Sequence, residues 1–180
     1  LFRKTVGPTY YSMEIGGIHW IMMDSIIYKN TPNSGKKNTG IAGARDYTAG
    51  FTPMQLEWLR RDLELVPSTT PVYLCTHIPI LHTNGKGYLF PRKGQMDTLD
   101  MCFSKFNKVE VFSGHTHKMT NLRNPKYPRF EQHVLPATSG NMWTTTNHFQ
   151  NICSDGADAG ILVGTYSTGK SAYTYYTESY

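Results

Sequence analysis

The stretches VYLCTHIPI (residues 72–80) and VEVFSGHTH (residues 109–117) decide the fold of this chain. Each begins with a short apolar run that predicts a buried strand, at 72–75 and at 109–112, and each ends in histidine. Between the two strands, apolar residues recur at helical spacing: Met96, Leu99, Phe103 and Phe106. Strand, helix and strand in this order predict a βαβ unit with parallel strands and a right-handed crossover. The expected fold class is therefore α/β.

A longer amphipathic helix is predicted before the first of these strands. Thr52 can cap its N-terminus, Pro53 fits its first turn, and Gln55 completes a capping box. Pro67 ends the helix, after a run of apolar residues at helical spacing: Leu56, Leu59, Leu63 and Val66.

The residues before this helix predict a hairpin and a loop. Strands are expected at 9–15 and 18–26, joined through Gly16-Gly17. The polar, Gly-rich residues 29–50 and 80–94 predict long loops, which in compact domains are often functional.

Composition excludes several classes of protein. The chain has 180 residues with a net charge of +5, and 13% of its residues are aromatic, which argues against wholesale disorder. Its longest apolar run, 18–23, is far shorter than the roughly 20 residues of a membrane span. Three widely spaced cysteines without a CxxC argue against a zinc ribbon and a disulfide framework. No basic block or motif indicates a nucleic-acid partner.

Three histidines follow the predicted strands directly. His77 comes after the first strand, and His115 and His117 come after the second. Ligands bind beyond the carboxyl ends of strands in open α/β sheets, so all three imidazoles are expected on one rim. Gly114 is expected to relax the backbone so that both of the later rings reach one cavity. Imidazole is a common ligand of Zn, Fe, Mn and Ni, and the pattern therefore predicts a metal site.

These residues resemble the calcineurin-like metallophosphoesterases, in particular the bacterial phosphohydrolase type. Thr76-His77-Ile78-Pro79 and Gly114-His115-Thr116-His117 are similar to the last two of the five site motifs of that family. Ile21-Met22-Met23-Asp24-Ser25 and the later Gln55-Leu56-Glu57-Trp58-Leu59 also match its pattern. The resemblance covers about residues 8–137. It implies the C-terminal portion of a two-sheet α/β/β/α sandwich flanked by helices.

The tail resembles the small β-rich C-terminal domain of some bacterial members of this family. Ser139-Gly140-Asn141-Met142-Trp143 and Cys153-Ser154-Asp155-Gly156 carry this likeness. We therefore expect a metallophosphoesterase domain at 1–137 and the start of a β-rich domain at 138–180. The same likeness implies an extracytoplasmic bacterial location, periplasmic or secreted.

Three motifs of the family do not occur ahead of His77: Asp-x-His, Gly-Asp-x-x-Asp and Gly-Asn-His-(Asp/Glu). In the family they supply a bridging carboxylate, an Asn ligand and the acid histidine. The resemblance places them before Leu1, so no catalytic residue is expected within this chain. An N-terminal segment or a second chain is then needed to complete the site, and activity of the isolated chain depends on that completion.

The resemblance implies metal-dependent hydrolysis of phosphomonoesters or phosphodiesters at a dinuclear site. His77 and His115 would bind one ion and His117 the other, the two ions being divalent or trivalent Mn, Fe, Zn or similar. Such ions activate a bound water for in-line attack on phosphorus. The alternative is a non-catalytic module that binds a carbohydrate-type ligand through the tyrosines of the tail.

Other residues are candidates for roles at the same site. Asp24 follows a predicted buried strand, and it either orients a ligand histidine or caps a turn. A basic group after the second strand either attracts anions or forms a solvated loop: Lys118, Arg123, Lys126 and Arg129. His19 lies in an apolar run and is expected in the core. No role is assigned to the remaining histidines: His82, His133 and His148. The pair Asn147-His148 comes after the GHxH motif, which is the wrong order for the family motif.

Residues 164–171, GTYSTGKS, match the P-loop pattern letter for letter. A P-loop needs a helix after it, whereas the residues that follow, 172–177, have strand composition. Ser167-Thr168-Gly169-Lys170 therefore predicts a hairpin turn. Cys75 lies within an apolar strand and is expected to be an inert buried thiol.

Overall fold

The structure, a computed structural model, describes residues 2–32, 45–82, 88–89, 94–136, 160–167 and 169–177. In this part of the chain the helices are α1 Phe2–Thr5, α2 Pro53–Leu65 and α3 Gln95–Cys102. The strands are β1 Tyr11–Ile15, β2 Ile18–Met23, β3 Ile26–Pro32, β4 Arg45–Ala49, β5 Val72–Thr76, β6 Leu81–His82, β7 Tyr88–Leu89, β8 Val109–Ser113, β9 Thr120–Arg123, β10 Phe130–Val134, β11 Gly160–Ser167 and β12 Lys170–Thr177.

A six-stranded mixed sheet organises the fold, with the order β1-β2-β5-β8-β10-β9. Its four inner strands are parallel, and the two edge strands β1 and β9 are antiparallel to their neighbours. The chain passes from β5 through α3 to the adjacent parallel β8, which confirms the predicted βαβ unit. The observed class is mixed α/β.

The β1–β2 hairpin turns where the sequence predicts it. Gly16 and Gly17 adopt φ values of +62° and +75°, which only glycine adopts at no steric penalty. Two successive residues with positive φ are typical of a type I′ turn, whose twist matches that of the paired strands. The turn fixes the register, with Ile15 opposite Ile18.

Helix α2 begins at the predicted cap. Thr52 Oγ1 accepts a hydrogen bond from the Gln55 backbone N–H at 3.2 Å. The reciprocal half of the capping box is not formed, because Gln55 Oε1 is buried without a hydrogen-bond partner among the described residues. Leu59 and Leu63 turn into the core as the helical spacing predicts.

Helix α3 is shorter than the apolar spacing predicts, since it ends at Cys102. Phe103 and Phe106 lie beyond the helix and are nevertheless fully buried. They form one ring cluster with Phe130 of β10, at 5.6 Å between the Phe103 and Phe130 centroids. These two rings therefore reach the core from the segment that follows the helix, and not from a face of the helix itself.

The core lies between one face of the sheet and the helices α2 and α3. Every second residue of a strand points to this face of the sheet. On this face Ile21, Leu74 and Val111 are completely buried. The helices contribute Leu59, Leu63, Met96 and Leu99.

The predicted loop at 29–50 is wrong at both ends. Strands β3 and β4 pair antiparallel there, with Tyr28 opposite Tyr47. Residues 33–44 lie outside the described part of the chain, as do 83–87 and 90–93 of the second predicted loop. The polar composition of this segment predicts a loop, whereas its two strands are stabilised by pairing with each other, which composition does not indicate.

The predicted boundary near residue 138 lies outside the described residues, together with both tail motifs, Asn147-His148 and Cys153. The described tail is the antiparallel hairpin β11–β12, as predicted. No helix among the described residues is long and apolar enough to cross a membrane.

Candidate metal site

The parallel strands β2, β5 and β8 end at one edge of the sheet, and this edge carries the candidate residues. Asp24 follows β2, His77 follows β5, and His115 and His117 follow β8 after one glycine. Met23 is level with Thr76 in the register, so Asp24 and His77 leave neighbouring strands at the same height. The predicted rim therefore exists.

His77 and His115 are brought into contact on this rim. The distance from His77 Nε2 to His115 Nδ1 is 3.2 Å, and the ring centroids are 5.0 Å apart at an interplanar angle of 80°. Both side chains are exposed. Two nitrogens that each lie about 2.0–2.1 Å from one ion are separated by about 3.0–3.4 Å, depending on the coordination angle. The observed separation falls within this range.

The backbone after β8 is bent by the histidines themselves. His115 and His117 have φ values of +66° and +56°, in the left-handed region that non-glycine residues rarely adopt. Gly114, the residue expected to relax the backbone, has no positive φ. The Gly114 N–H donates to the His77 carbonyl at 3.0 Å, which ties the two segments together.

The described residues do not form a complete set of metal ligands by themselves. They contain no group of three or more His, Cys, Asp or Glu side chains arranged to hold a metal ion. His117 is half-buried and lies two residues beyond His115. The imidazoles of His77 and His115 fit one ion as a pair of ligands, and the ion would need further ligands besides these two.

Asp24 is engaged in a turn. Its Oδ1 accepts a hydrogen bond from the Ile26 backbone N–H at 3.1 Å, which is the turn-capping role weighed from the sequence. The next residue, Ser25, is buried, and its Oγ accepts from the Ile78 N–H at 2.9 Å. These bonds hold the segment after β2 against the segment that carries His77.

The basic residues after the GHxH motif are largely bound to carboxylates. Arg123 pairs with Glu131, Lys126 Nζ lies 2.8 Å from Asp97 Oδ1, and Arg129 Nε lies 2.5 Å from Asp100 Oδ1. Hydrogen bonds from Lys126 and Tyr127 lower the pKa of the Asp97 carboxyl. These three cations are paired with carboxylates, and Lys118, the fourth member of the predicted anion-attracting group, is exposed.

His19 is the core histidine that the sequence predicts. It is 4% exposed, and its two ring nitrogens face carboxylates, Glu14 Oε1 at 2.5 Å and Asp62 Oδ2 at 2.8 Å. Ser12 donates to the other oxygen of Asp62 at 2.6 Å. The network joins the edge strand β1 to helix α2.

His133, to which the sequence assigns no role, forms a buried polar pair. Its Nε2 lies 2.9 Å from Glu110 Oε2, and its Nδ1 lies 2.8 Å from Asn121 Oδ1. Lys108 Nζ contacts the same glutamate at 2.5 Å. Glu110 and His133 occupy adjacent strands on the sheet face opposite the helices, and a lone polar residue in a strand gives no sequence signal of such a pairing.

Tyr173 of the tail packs on the six-stranded sheet. The Tyr173 ring lies against His133 and Phe112, with centroids 4.8 and 5.7 Å away, and its hydroxyl donates to the Tyr73 hydroxyl at 3.3 Å. Tyr73 also hydrogen-bonds Ser171 at 2.6 Å. The strand β12 stands where a P-loop needs a helix, so the hairpin prediction for this segment is confirmed.

The chain matches no protein-family model, and no curated protein is significantly similar to it.

Proposed function

We propose that this chain contributes histidine ligands to a metal-dependent phosphoester hydrolase. The observation that carries the proposal is the His77–His115 contact, at 3.2 Å between Nε2 and Nδ1, on the carboxyl edge of parallel strands. The backbone strain at His115 and His117 supports it, because strained residues concentrate at functional sites. The resemblance to calcineurin-like metallophosphoesterases supplies the reaction class.

In this proposal His77 and His115 hold one ion and His117 a second. The ions supply a bound water of lowered pKa and a charge that stabilises the phosphoryl oxygens. The chain's own contribution is to fix the two imidazoles, through the Gly114–His77 backbone hydrogen bond and the Ser25–Ile78 hydrogen bond. The remaining ligands come from an N-terminal segment or a second chain.

The proposal includes a two-sheet sandwich. The sheet face opposite the helices supports it, because Trp20, Cys75 and Phe112 on that face are only partly buried. Trp20 Nε1 is buried there without a hydrogen-bond partner among the described residues. A second layer over this face would cover the apolar rings and can provide an acceptor for the indole N–H.

The alternative, a carbohydrate-binding module that uses the tail tyrosines, has less support. Tyr173 is held against the sheet, and the rings of Tyr173 and Tyr175 lie over Gly164 and Gly160 of the paired strand. Aromatic rings that cover strand glycines stabilise a hairpin and leave little face for a ligand.

The test is metal binding by the purified chain, stripped and reloaded with Mn²⁺, Fe²⁺ or Zn²⁺, with the bound metal measured by elemental analysis. We expect His115→Gly to weaken binding at least about tenfold, since it removes one of few ligands. Glycine adopts the positive φ of His115 without strain, so the loss reports the imidazole. Thr116→Gly is the matched control, because it loosens the same turn and removes no ligand.

Equal metal binding by wild type and His115→Gly contradicts the ligand assignment. Hydrolysis of p-nitrophenyl phosphate and bis(p-nitrophenyl) phosphate by the loaded protein then separates the two candidate functions. Loss of hydrolysis in His117→Ala with the fold retained supports the enzyme. Unchanged hydrolysis in that variant rejects His117 as a ligand.

A further inference from the structure

An aromatic cleft lies beside the histidine rim, and no role has been assigned to it. It has a volume of about 1170 Å³ and opens where the segment before β1, the start of β3 and the start of α2 meet. Four of its lining side chains are aromatic: Tyr10, Tyr11, Tyr28 and Trp58. Pockets for small ligands are typically about 300–1,000 Å³, so this cleft can hold a ring with its substituents.

The apolar lining of the cleft is exposed to an unusual degree. Tyr28 is 63% exposed, Met54 73% and Tyr11 40%. Tyr10 and Trp58 meet edge to face at 5.2 Å between ring centroids, which holds both rings in place. Contiguous exposed apolar surface on a soluble chain commonly marks a binding site.

The polar lining favours a neutral, hydroxyl-rich ligand. Arg3 and Asp24 place opposite charges in the cleft, so neither an anion nor a cation is favoured throughout it. The Asp24 carboxylate is fixed by the Ile26 N–H and retains lone pairs that can accept from ligand hydroxyls. Aromatic faces with a few fixed polar groups suit a sugar ring, which has an apolar C–H face and a hydroxyl edge.

The cleft adjoins the histidine pair through Asp24. Asp24 follows β2 and His77 follows β5, and these strands are parallel neighbours in register at Met23 and Thr76. Residues level on adjacent strands lie about 5 Å apart along the backbone. A ligand in the cleft that reaches past Asp24 therefore meets the rim that carries His77 and His115.

We propose that this cleft binds the sugar ring of a phosphorylated sugar, with the phosphoryl group directed to His77 and His115. The orientation of the phosphoryl group rests on the proposed hydrolase function, whereas the sugar site itself does not. The proposal names the substrate class as sugar phosphoesters.

The test uses the chain freed of metal with a chelator, so that it does not depend on the hydrolase. Glucose 1-phosphate, N-acetylglucosamine 1-phosphate, ribose 5-phosphate and glucose are titrated at millimolar concentrations, with inorganic phosphate and glycerol 1-phosphate as comparators. Binding is followed by saturation-transfer difference NMR. We expect the sugars and sugar phosphates to bind, and Tyr28→Ser to weaken their binding about tenfold.

Tyr47→Ser is the matched control. Tyr47 lies opposite Tyr28 in the β3–β4 pair and is 45% exposed, but it is outside the cleft as the described residues define it. We expect the affinity of the Tyr47→Ser variant for the sugars to stay within about twofold of that of wild type. An equal effect of the two substitutions, or binding of inorganic phosphate alone, overturns the sugar site. So does the absence of binding by every sugar in the set.

The failures of the two proposals are distinguishable. Sugar binding that depends on Tyr28, in a chain that takes up no metal, supports the sugar site and rejects the hydrolase. Metal uptake that depends on His115, in a chain that binds no sugar, rejects the sugar site and leaves the hydrolase supported.

Discussion

At the scale of the residue, two histidines have unusual backbone geometry. His115 and His117 both have positive φ, and an L-residue in the left-handed region costs about 1–2 kcal/mol. Gly114, one residue earlier, is the residue that could adopt such angles at no penalty, yet it does not. The strain therefore lies in the backbone of the two histidines that the sequence singles out, and the hydrogen bond from the Gly114 N–H to the His77 carbonyl helps to hold it.

Cys75 gives a prediction about pH at this scale. Burial raises the pKa of its thiol to about 11 from the ordinary 9.0. Because the pKa is higher in the folded than in the unfolded state, the protonated thiol makes its full contribution to the free energy of unfolding below pH 9.0. This contribution is lost as the pH rises toward 11. The unfolding free energy of wild type relative to Cys75→Ala should stay constant below pH 9.0 and then decline, by at most about 3 kcal/mol.

Denaturant unfolding of both proteins across this pH range measures the difference. Comparison with the variant cancels the titration of tyrosines and lysines. In a chain that also carries Cys102→Ser and Cys153→Ser, the thiol of Cys75 should react with iodoacetamide far more slowly folded than unfolded at pH 8.5 or so. Equal rates in the two states contradict the prediction.

At the scale of the element, Arg129 joins the end of α3 to the start of β10. Its Nε contacts Asp100, and its NH1 donates to the carbonyls of Phe103, Ser104 and Phe106 at 3.1, 3.2 and 2.8 Å. A guanidinium reaches these acceptors together because its donors are fixed in one plane. Arg129 thus binds carbonyls of the segment that follows the helix.

We expect Arg129→Lys to lower the free energy of unfolding by about 2 kcal/mol, because an ammonium group cannot reach all of these acceptors. The control is the same substitution at Arg61, which is exposed and pairs with Glu57 along helix α2. Arg61→Lys should stay within about 0.5 kcal/mol of wild type. Equal effects in thermal or urea unfolding would show that the carbonyl contacts of Arg129 contribute nothing.

At the scale of the whole molecule, the two faces of the six-stranded sheet differ. One face is closed by α2 and α3 over an apolar core. The other carries Trp20, Tyr73, Phe112 and His133, and the ring of the β12 residue Tyr173 packs against Phe112 and His133. Burial raises the pKa of the Tyr173 hydroxyl above its ordinary value, and this hydroxyl donates to that of Tyr73.

Tyr173→Ala should release the β11–β12 hairpin from the sheet. An isolated two-stranded hairpin is marginally stable in water, so the hairpin depends on this contact. We expect hydrogen exchange to show lost protection across β11 and β12, while the six-stranded sheet keeps its protection. Tyr176→Ala is the control, since Tyr176 is 56% exposed on the other side of the strand. Unchanged protection in Tyr173→Ala contradicts the anchoring role.

Much of the fold could be predicted from local pattern. Thr52 and Pro53 begin α2, Gly16-Gly17 turns the first hairpin, and the apolar runs at β5 and β8 become buried parallel strands. These features depend on residues close in the chain, whose periodicity and backbone preferences are visible in the sequence. The helical spacing places the end of α3 too late, because Phe103 contacts both Phe106 and Phe130, and periodicity cannot identify Phe130 as a partner.

The sequence by itself determined the α/β class, the strand ends that carry His77, His115 and His117, and the hairpin in place of a P-loop. Only the tertiary structure decided which of these histidines touch, which cations are paired to carboxylates, and where Tyr28 and Trp58 form a cleft. His77 and His115 are 38 residues apart, and Tyr73 and Ser171 are 98 apart. Contacts at such separations are set by sheet order and packing, which the local pattern of a chain does not specify.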